Sequence, residues 1–532
     1  MPETPVFSTA AVAAPHILAA ETGQSILAAG GNAVEAMVAM AATIAVVYPH
    51  MNGIGGDGFW LVREPGGRVH GIDACGPAGA LATIERYRSK GYDGVPQRGS
   101  DAAVTVPGAI GGWRIALDMA RAFGGRLPLD LLLGEAIRHA REGYPVSASE
   151  ARYIVKEVSA LHEAPGFRAT FLADGRTPEA GSLRRVGALA DTFAQLAHAG
   201  LDDFYRGDIG REIAADLERI GSPVARRDLE TYEARLAQPL SLRLEGATLY
   251  NLPPPTQGVA SLIMLGLFER LGVRRGEGIE HQHGLIETAK RAYAIRDRIV
   301  TDPRHMTHDP ADWLTAAALD REAAAIRSDR AAPFPLPKPV EGDTIWMGAI
   351  DRDGLAVSYI QSLFWEFGSG CVLPKTGILW SNRGTAFSLD PAARNPLQPG
   401  RKPYHTLNPA LAVFDDGRVL SYGTMGGDGQ PQIQAQIYTR YAAFGMGLAD
   451  AVDAPRWLLG RKWRAPAPTL RVEDRFDSGL LRALSDRGHE VEEIGASYAE
   501  AVGHAGMLVR HARNGRVEAT HDPRSDGGAL GL

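Results

Sequence analysis

The sequence predicts an α+β fold, because both an apolar β-hairpin and a long helix without a polar face are visible in it. Residues 345–363 form two largely apolar runs on either side of Asp353-Gly354, a pair that supplies the positive φ angles of a tight hairpin turn. Residues 33–47 are mostly Ala, Met and Val, and Asn32 just before them is a preferred helix N-cap residue. With 532 residues, 45% of them hydrophobic, the chain can bury a large core.

The other elements follow from the same signals. The glycine run at residues 53–58 precedes a strand and lacks the lysine of a phosphate-binding loop, which favours a tight turn. Residues 150–245 are polar-faced and are expected to be helical. The remaining predicted elements are strands at residues 8–14 and 59–63, and helices at residues 19–29, 131–140 and 280–298.

Composition restricts the classes of partner. The formal net charge is −6 and no basic block occurs, so a nucleic-acid partner is not expected. The apolar run at residues 36–47 is shorter than the ~20 residues that cross a bilayer, so no membrane partner is expected either. The N-terminus shows no basic region followed by an apolar stretch, and we therefore predict a cytoplasmic protein.

Neither a metal nor a cofactor is expected from the sequence. Cys75 and Cys371 are too few for a disulfide framework and lack the spacing of a metal site. His281 and His283 lie two residues apart on a predicted helix, which directs them to different faces. A solvated or capping role is therefore favoured over metal binding for both histidines.

Asp343-Thr344 opens the first strand of the hairpin. If the chain were cut before Thr344, the freed α-amine would lie within reach of the Thr344 hydroxyl and could act as its general base. On local pattern alone a turn or strand-edge role is the more frequent one. The Pro-rich tract at residues 326–342 lies immediately upstream, and it is the kind of flexible segment that a self-cleaving chain requires.

Motifs over nearly the whole chain resemble the γ-glutamyltransferase family of N-terminal-nucleophile hydrolases. They lie at residues 30–36, 49–59, 101–113, 124–147, 253–258, 344–370, 377–388 and 422–430. The resemblance implies a four-layer αββα sandwich, in which two antiparallel sheets pack face to face and are flanked by helices. Strands from residues 6–75 and from the part after Thr344 would share the sheets, with a helical stretch at about residues 110–330 around them. It further implies a large subunit (residues 1–343) and a small subunit (residues 344–532) within one interleaved domain.

The resemblance also implies roles for individual residues. The Thr344 hydroxyl would first attack the Asp343 carbonyl to cleave the chain, and the new α-amine would then serve as the base in turnover. Ser362 occupies the place of a second threonine that contacts this amine, although a strand serine without that role stays open. Gly426-Gly427 would form the oxyanion hole, where glycine allows a close backbone approach.

The chain departs from the family where the γ-glutamyl group is bound. Ala74-Cys75-Gly76 stands where an arginine holds the α-carboxylate, and Phe364, Arg383, Ala386 and His405-Thr406 replace other glutamyl-binding residues. Each lost charge-assisted hydrogen bond is worth roughly 1.5–3 kcal/mol, which argues against the usual γ-glutamyl recognition. The pattern instead predicts a small pocket for a short anionic amide. Arg383 would bind its carboxylate, and Phe364, His405 and Thr406 would line the pocket.

The motif at residues 400–409 resembles the branch of the family that hydrolyses oxamate to oxalate and ammonia. A γ-glutamyltransferase or glutathione hydrolase with a rebuilt pocket, a dicarboxylate-acyl (cephalosporin-type) acylase and an inactive scaffold stay open as alternatives. Arg383 could equally belong to a buried ion pair or lie at the surface. The expected partners are the small anionic amide and the two fragments of the chain, and a homodimer is left open.

Overall fold

A computed structural model describes residues 4–334, 343–460 and 469–532. Most strands of these residues belong to two antiparallel sheets of seven strands each. The strands are β1 (Val6–Phe7), β2 (Ala11–Ala14), β3 (Asp57–Arg63), β4 (Val69–Ala74), β5 (Tyr144–Pro145), β6 (Leu183–Arg184), β7 (Arg235–Ala237), β8 (Leu240–Leu244), β9 (Ala247–Asn251), β10 (Asp343–Ile350), β11 (Ala356–Phe364), β12 (Ala410–Phe414), β13 (Val419–Thr424), β14 (Trp457–Gly460), β15 (Thr469–Val472), β16 (Val491–Glu493), β17 (Ala505–Arg510), β18 (Val517–His521) and β19 (Gly528–Gly531).

The α-helices of the described residues surround these sheets. They are α1 (Ile17–Ala28), α2 (Ala33–Val47), α3 (Ile84–Ser89), α4 (Ala109–Ala122), α5 (Leu129–Glu142), α6 (Ala148–Leu161), α7 (Phe167–Phe171), α8 (Gly187–Ala199), α9 (Asp203–Arg206), α10 (Asp208–Ile220), α11 (Arg226–Thr231), α12 (Gly258–Arg270), α13 (Ile279–Ile299), α14 (Ala316–Ala323), α15 (Gln430–Tyr438), α16 (Leu448–Asp453) and α17 (Ser478–Asp486).

Each large sheet combines strands from both sides of the Asp343–Thr344 bond. Sheet I has the order β1-β18-β17-β13-β12-β9-β8, and sheet II has the order β19-β2-β10-β11-β3-β4-β7. The predicted hairpin β10–β11 lies in the middle of sheet II, where β10 pairs with β2 and β11 pairs with β3. The parts before and after Thr344 are therefore held together by backbone hydrogen bonds of both sheets.

Three apolar clusters define four layers. One cluster fills the space between the sheets and includes Phe59, Trp346 and Leu508. A second joins α1, α2, α4 and α5 to the outer face of sheet II, and a third joins α12, α13 and α15 to the outer face of sheet I. The αββα sandwich predicted from the family resemblance is thus confirmed, and it is the arrangement that buries both faces of both sheets.

Local sequence signals account for the anchoring of the central hairpin. Asn32 and Glu35 form a capping box at the start of α2, as the helix N-cap prediction requires. The Asp351 carboxylate in the hairpin turn accepts the Ala33 N–H at 2.9 Å and the Leu355 N–H at 3.0 Å. One carboxylate thereby ties the turn of the hairpin to the first turn of the buried helix α2.

The region at residues 150–245 was predicted to be helical throughout, and this prediction is wrong at its end. Strand β7 joins the edge of sheet II, and the hairpin β8–β9 joins the edge of sheet I. The alternation of leucine with polar residues over Leu240–Leu244, followed by Gly246, is a hairpin signal. The polar composition of the surrounding region concealed it.

The described part of the Pro-rich tract, residues 326–334, lies against α13 and the loop after α17. Ala331 donates its N–H to the Arg487 carbonyl at 2.6 Å. The Ala332 N–H binds the Glu287 carboxylate at 3.0 Å, and the Ala332 carbonyl accepts from Lys290 at 2.8 Å. The flexibility expected of this tract stays a prediction. Residues 335–342 lie outside the described residues.

Candidate active site

Thr344 and Ser362 lie side by side at the end of the hairpin β10–β11. The Thr344 hydroxyl donates to the Ser362 Oγ at 3.0 Å, and both side chains are buried. The strand register shifts between Asp343, which faces Phe364, and Ile345, which faces Gln361. Irregularities of this kind redirect side chains next to active sites. The structure thus brings together the two hydroxyls that the sequence prediction paired.

Phe364 connects this hydroxyl pair to a buried cation. Its N–H donates to the Ser362 Oγ at 2.8 Å, and its backbone has a φ of 84°, a conformation that costs a bulky residue energy and that surrounding contacts must enforce. The ring lies under the Arg383 guanidinium, 3.7 Å from its centroid. Phe364, predicted to line the substrate pocket, therefore contacts both Ser362 and Arg383.

Arg383 is a buried guanidinium with spare hydrogen-bond donors. It is 1% exposed, and both of its terminal nitrogens reach the Thr406 Oγ1, at 3.3 and 3.4 Å. Its Nε has no hydrogen-bond partner within the described residues. Burial lowers the pKa of Arg383 to about 10, so it still carries its charge at neutral pH. A buried cation that is so poorly satisfied creates a strong site for an anion.

Asp57 is the carboxylate next to this cation, and the sequence reasoning did not single it out. It pairs with Ser362 across the β3–β11 ladder. Its Oδ1 accepts the N–H groups of Gly76 and Gly108, both at 3.2 Å, and its Oδ2 lies 3.0 Å from the His405 Nε2. Burial raises the pKa of Asp57 to about 7, and the nearby Arg383 guanidinium limits this rise.

His405 was predicted to bind substrate, and the structure gives it a different partner. Burial holds the pKa of His405 well below its usual value, so its ring is neutral. The Nδ1 accepts the Leu407 N–H at 3.4 Å, which leaves the proton on Nε2, where it is donated to Asp57. Both ring nitrogens are therefore used inside the protein. Thr406, predicted beside it, is the residue whose hydroxyl meets Arg383.

The Gly426–Gly427 segment follows β13 at the same end of the sandwich. The two glycines have φ angles of 116° and 52°, which other residues rarely adopt. Gln257 donates through its Nε2 to the carbonyls of Gly427 at 2.8 Å and Thr406 at 2.7 Å. The residues predicted for the oxyanion hole are thereby tied to the loop that contacts Arg383.

Residues 74–76 stand where the family resemblance places a glutamyl-binding arginine, and their contacts are different here. Burial raises the pKa of the Cys75 thiol, which donates to Asp73 at 3.3 Å and is neutral. Lys402 extends to the same Asp73 carboxylate at 2.8 Å. The segment at residues 74–76 therefore offers a substrate no free cation of its own, and the Gly76 N–H serves Asp57 instead.

Neither predicted histidine on α13 is solvated, because both are buried. His281 accepts the N–H of Glu277, two residues before the helix begins, at 3.0 Å, and this bond does not cap the helix. His283, Glu287 and His489 form a group that could hold a metal ion by the spacing of its ligand atoms. However, the His283 ring is bonded to His489 at 2.8 Å and to the Arg327 carbonyl at 2.7 Å, while Glu287 is paired with Lys290 at 2.6 Å. These contacts satisfy the group without an ion.

Two antiparallel sheets between layers of helices, with a hydroxyl residue at the head of a central strand, define an amide hydrolase of the N-terminal-nucleophile class. The chain belongs to the gamma-glutamyltranspeptidase family, whose family model matches residues 19–532. Both the recognised family and the enzyme class predicted from the sequence are thereby confirmed.

Three known proteins show which members of the family this chain resembles. The chain is 49% identical to the oxamate amidohydrolase proenzyme of Klebsiella pneumoniae over 97% of each chain. It is 37% identical to the glutathione hydrolase-like YwrD proenzyme of Bacillus subtilis over 98% of each chain. The crystal structure of a cephalosporin acylase from Bacillus halodurans is similar, with a TM-score of 0.91 and 32% identity, covering 100% of this chain and 97% of that one.

None of the described helices has the length and apolar character to span a membrane.

Proposed function

We propose that the protein is a self-cleaving amidohydrolase with Thr344 as its nucleophile, and that it hydrolyses oxamate to oxalate and ammonia. The main support for the proposal is Arg383, a buried cation with unused hydrogen-bond donors. Its guanidinium lies on the ring of Phe364, a residue next to the Thr344–Ser362 hydroxyl pair. The relative with 49% identity is named for the same substrate.

The short path from Arg383 to the nucleophile favours a short acyl group. In oxamate the carboxylate is attached directly to the carbonyl carbon that must be attacked. Arg383 contacts the ring of Phe364, whose N–H binds the same Ser362 hydroxyl that Thr344 contacts. A carboxylate bound to Arg383 would therefore place the adjoining carbonyl near Thr344, as proximity catalysis requires. A longer acyl chain needs a more distant carboxylate clamp.

Maturation would precede turnover. The Thr344 Oγ attacks the carbonyl carbon of Asp343, the bond to the Thr344 nitrogen breaks, and water opens the resulting ester. The products are a large subunit of residues 1–343 and a small subunit of residues 344–532 whose first group is the Thr344 α-amine. Because both sheets contain strands of both fragments, the subunits would stay associated.

Turnover would use the new α-amine as the base. It accepts the proton of the Thr344 hydroxyl while Oγ attacks the amide carbonyl, and the N–H groups of Gly426 and Gly427 stabilise the oxyanion. The amine then returns the proton to the leaving nitrogen, which departs as ammonia. Water, deprotonated by the same amine, hydrolyses the oxalyl ester to oxalate. A free α-amine titrates near ~7.7–8.0, which suits a base at neutral pH.

A substrate panel tests this proposal. Purified protein would be assayed for ammonia release from oxamate, for cleavage of a γ-glutamyl anilide and for deacylation of a glutaryl cephalosporin nucleus. We expect clear turnover of oxamate and little of the others. Efficient anilide cleavage without oxamate turnover would favour a γ-glutamyltransferase or glutathione hydrolase. Efficient deacylation alone would favour the acylase, which the structural relative brings into consideration.

A further inference from the structure

Gln257 is a buried glutamine whose side chain joins two segments of the candidate site. It directly precedes α12, but its carboxamide does not cap that helix. Its backbone N–H donates to the carbonyl of His405 at 2.9 Å, and its Nε2 donates to the carbonyls of Thr406 at 2.7 Å and Gly427 at 2.8 Å. The two hydrogens of one amide nitrogen thereby fix the separation between the segment that carries Thr406 and the segment that carries Gly427.

Arg296 and Tyr404 determine which way the Gln257 carboxamide points. Its Oε1 accepts from the Arg296 Nη1 at 2.7 Å and lies 3.2 Å from the Tyr404 hydroxyl. Turning the amide over would direct its NH2 group at the guanidinium, which has no acceptor. The same Arg296 nitrogen donates to the Asp428 Oδ1 at 2.8 Å, and the Tyr293 hydroxyl donates to the Asp428 carbonyl. Helix α13, which carries Arg296 and Tyr293, therefore holds both the carboxamide and the turn after the glycine pair.

The two segments joined by Gln257 would contact the two ends of the proposed substrate. The Thr406 hydroxyl accepts from both terminal nitrogens of Arg383, at 3.3 and 3.4 Å, and Arg383 is the proposed site of the carboxylate. The N–H of Gly427 is proposed to bind the oxyanion that forms at the reacting carbonyl. In oxamate these two groups are on adjacent carbon atoms, so a substrate uses both sites at once only when their separation matches it.

We propose that Gln257 is a positioning residue that sets the length of the accepted substrate, because it holds the carboxylate-binding and oxyanion-binding segments at one separation. This inference rests on the proposed function, since it takes Arg383 and Gly427 as the two binding groups. The favoured substrate is an amide whose carbonyl is bonded directly to a carboxylate. Malonamate, in which one methylene separates the two groups, should be hydrolysed less efficiently than oxamate by at least roughly tenfold.

Gln257→Glu tests this role with a side chain of the same shape. The variant keeps an oxygen for Arg296, but it places its other oxygen against the carbonyls of Thr406 and Gly427, so the separation is no longer held. We expect kcat/KM for oxamate to fall by roughly 10- to 100-fold, because two buried hydrogen bonds are lost. The value for malonamate should change by less than about threefold, since its groups do not match the wild-type separation. The preference for oxamate should therefore decrease.

Gln436→Glu is the matched control. Gln436 is equally buried, and its Nε2 also donates to two backbone carbonyls, those of Gln432 at 3.2 Å and Trp457 at 3.0 Å. Neither carbonyl belongs to the two segments that Gln257 joins. Urea unfolding should show similar losses of unfolding free energy in both variants, whereas Gln436→Glu should keep the wild-type ratio of kcat/KM for oxamate and malonamate. A merely structural role of Gln257 would give the two variants the same ratio.

A denaturing gel first establishes that each variant is cleaved into its two subunits. If Gln257→Glu stays whole, Tyr404→Phe decides, because it removes only the hydroxyl that faces the Gln257 Oε1 and should lower the preference by roughly threefold.

The outcomes separate this inference from the proposed function. A decreased preference for oxamate in the Gln257 or Tyr404 variant, with the wild-type preference in Gln436→Glu, supports the positioning role. If the wild type hydrolyses oxamate but the preference is unchanged, or if it decreases equally in Gln436→Glu, the positioning role is refuted while the activity stands. If the wild type hydrolyses neither oxamate nor malonamate, the inference falls together with the proposed substrate.

Discussion

Two buried arginines of this protein differ in how completely they are satisfied. Arg524 donates to Glu473 from Nε at 2.8 Å and from Nη2 at 2.5 Å, and to Asp522 from Nη1 at 3.1 Å. The Arg383 guanidinium has only the Thr406 hydroxyl as a hydrogen-bond partner among the described residues, and it lies on the face of the Phe364 ring.

This difference is the basis for proposing a structural role for Arg524 and a substrate-binding role for Arg383. Removing water from a guanidinium is costly, and carboxylates at Arg524 offset that cost within the fold. No such full set of acceptors surrounds Arg383 in the described part of the chain, so its desolvation is left for an incoming anion to offset. Burial alone does not distinguish the two residues, since both are nearly inaccessible to solvent. The two residues differ instead in the hydrogen-bond acceptors around their guanidinium groups.

The role proposed for Arg383 depends on Thr344 being the nucleophile. Thr344→Ala tests that assignment and should have the largest effect on activity. The variant should stay a single polypeptide on a denaturing gel, whereas the wild type should run as fragments of residues 1–343 and 344–532. Oxamate turnover should fall by at least ~10³-fold, because removing a nucleophile leaves only residual catalysis. Thr344→Ser keeps a hydroxyl and should still be cleaved. A fully active Thr344→Ala would refute the assigned nucleophile.

Arg524→Met should have the largest effect on stability. It removes the arginine that Glu473 and Asp522 share, although Glu473 keeps Arg475 and Asp522 keeps Arg456, so we expect a loss of about 3 kcal/mol, the lower end for a broken buried ion pair. Urea unfolding of the wild type and the variant measures the free energy of unfolding. A loss below about 1 kcal/mol would mean that the Arg524 cluster contributes less than its geometry indicates.

Arg383→Met makes the same substitution at the other arginine and should act in the opposite way. Its unfolding free energy should stay close to that of the wild type, because among the described residues the Arg383 guanidinium is hydrogen-bonded to the Thr406 hydroxyl and to no carboxylate. KM for oxamate should rise by roughly 10- to 100-fold, which corresponds to one lost charge-assisted interaction. Strong destabilisation with an unchanged KM would reverse the roles of the two arginines.

Ser362→Ala should have the smallest effect of the set. It removes the hydroxyl that contacts Thr344 and accepts from Phe364, and a hydrogen bond of this kind contributes about 0.5–1.5 kcal/mol. Activity should fall by roughly tenfold, through looser placement of Thr344 and Phe364. Ser362→Thr retains the hydroxyl and should recover most of the activity. Equal activities in all three proteins would show that Ser362 is an ordinary strand residue.

The sequence allowed much of the fold to be predicted, for identifiable physical reasons. Helix α2 has a capping box and apolar residues on every face, and the hairpin β10–β11 has an Asp-Gly turn between apolar runs, so local signals agree with tertiary packing in both. Strands β7 and β8, which form sheet edges, and β9, which pairs with β8, were missed because they are short and alternate with polar residues in or next to a polar region.

The candidate site was predictable only in part. Thr344, Ser362 and Arg383 could be located because a family motif fixes their positions along the chain. Asp57 could not, because a single acid in a glycine-rich turn gives no periodic signal, and its partners Gly76, Gly108 and His405 are brought to it only by the sheet and its loops. The lone charge in the Gly-Gly-Asp-Gly run was the one available hint.

The most direct test of the account compares kcat/KM for oxamate and for oxamide, its neutral analogue, in the wild type and in Arg383→Met. We expect the wild type to prefer oxamate strongly and the variant to lose that preference, with a coupling of roughly 1.5–3 kcal/mol between the substrate charge and the Arg383 side chain. An undiminished preference for oxamate in Arg383→Met would contradict the claim that Arg383 binds the substrate carboxylate beside Thr344.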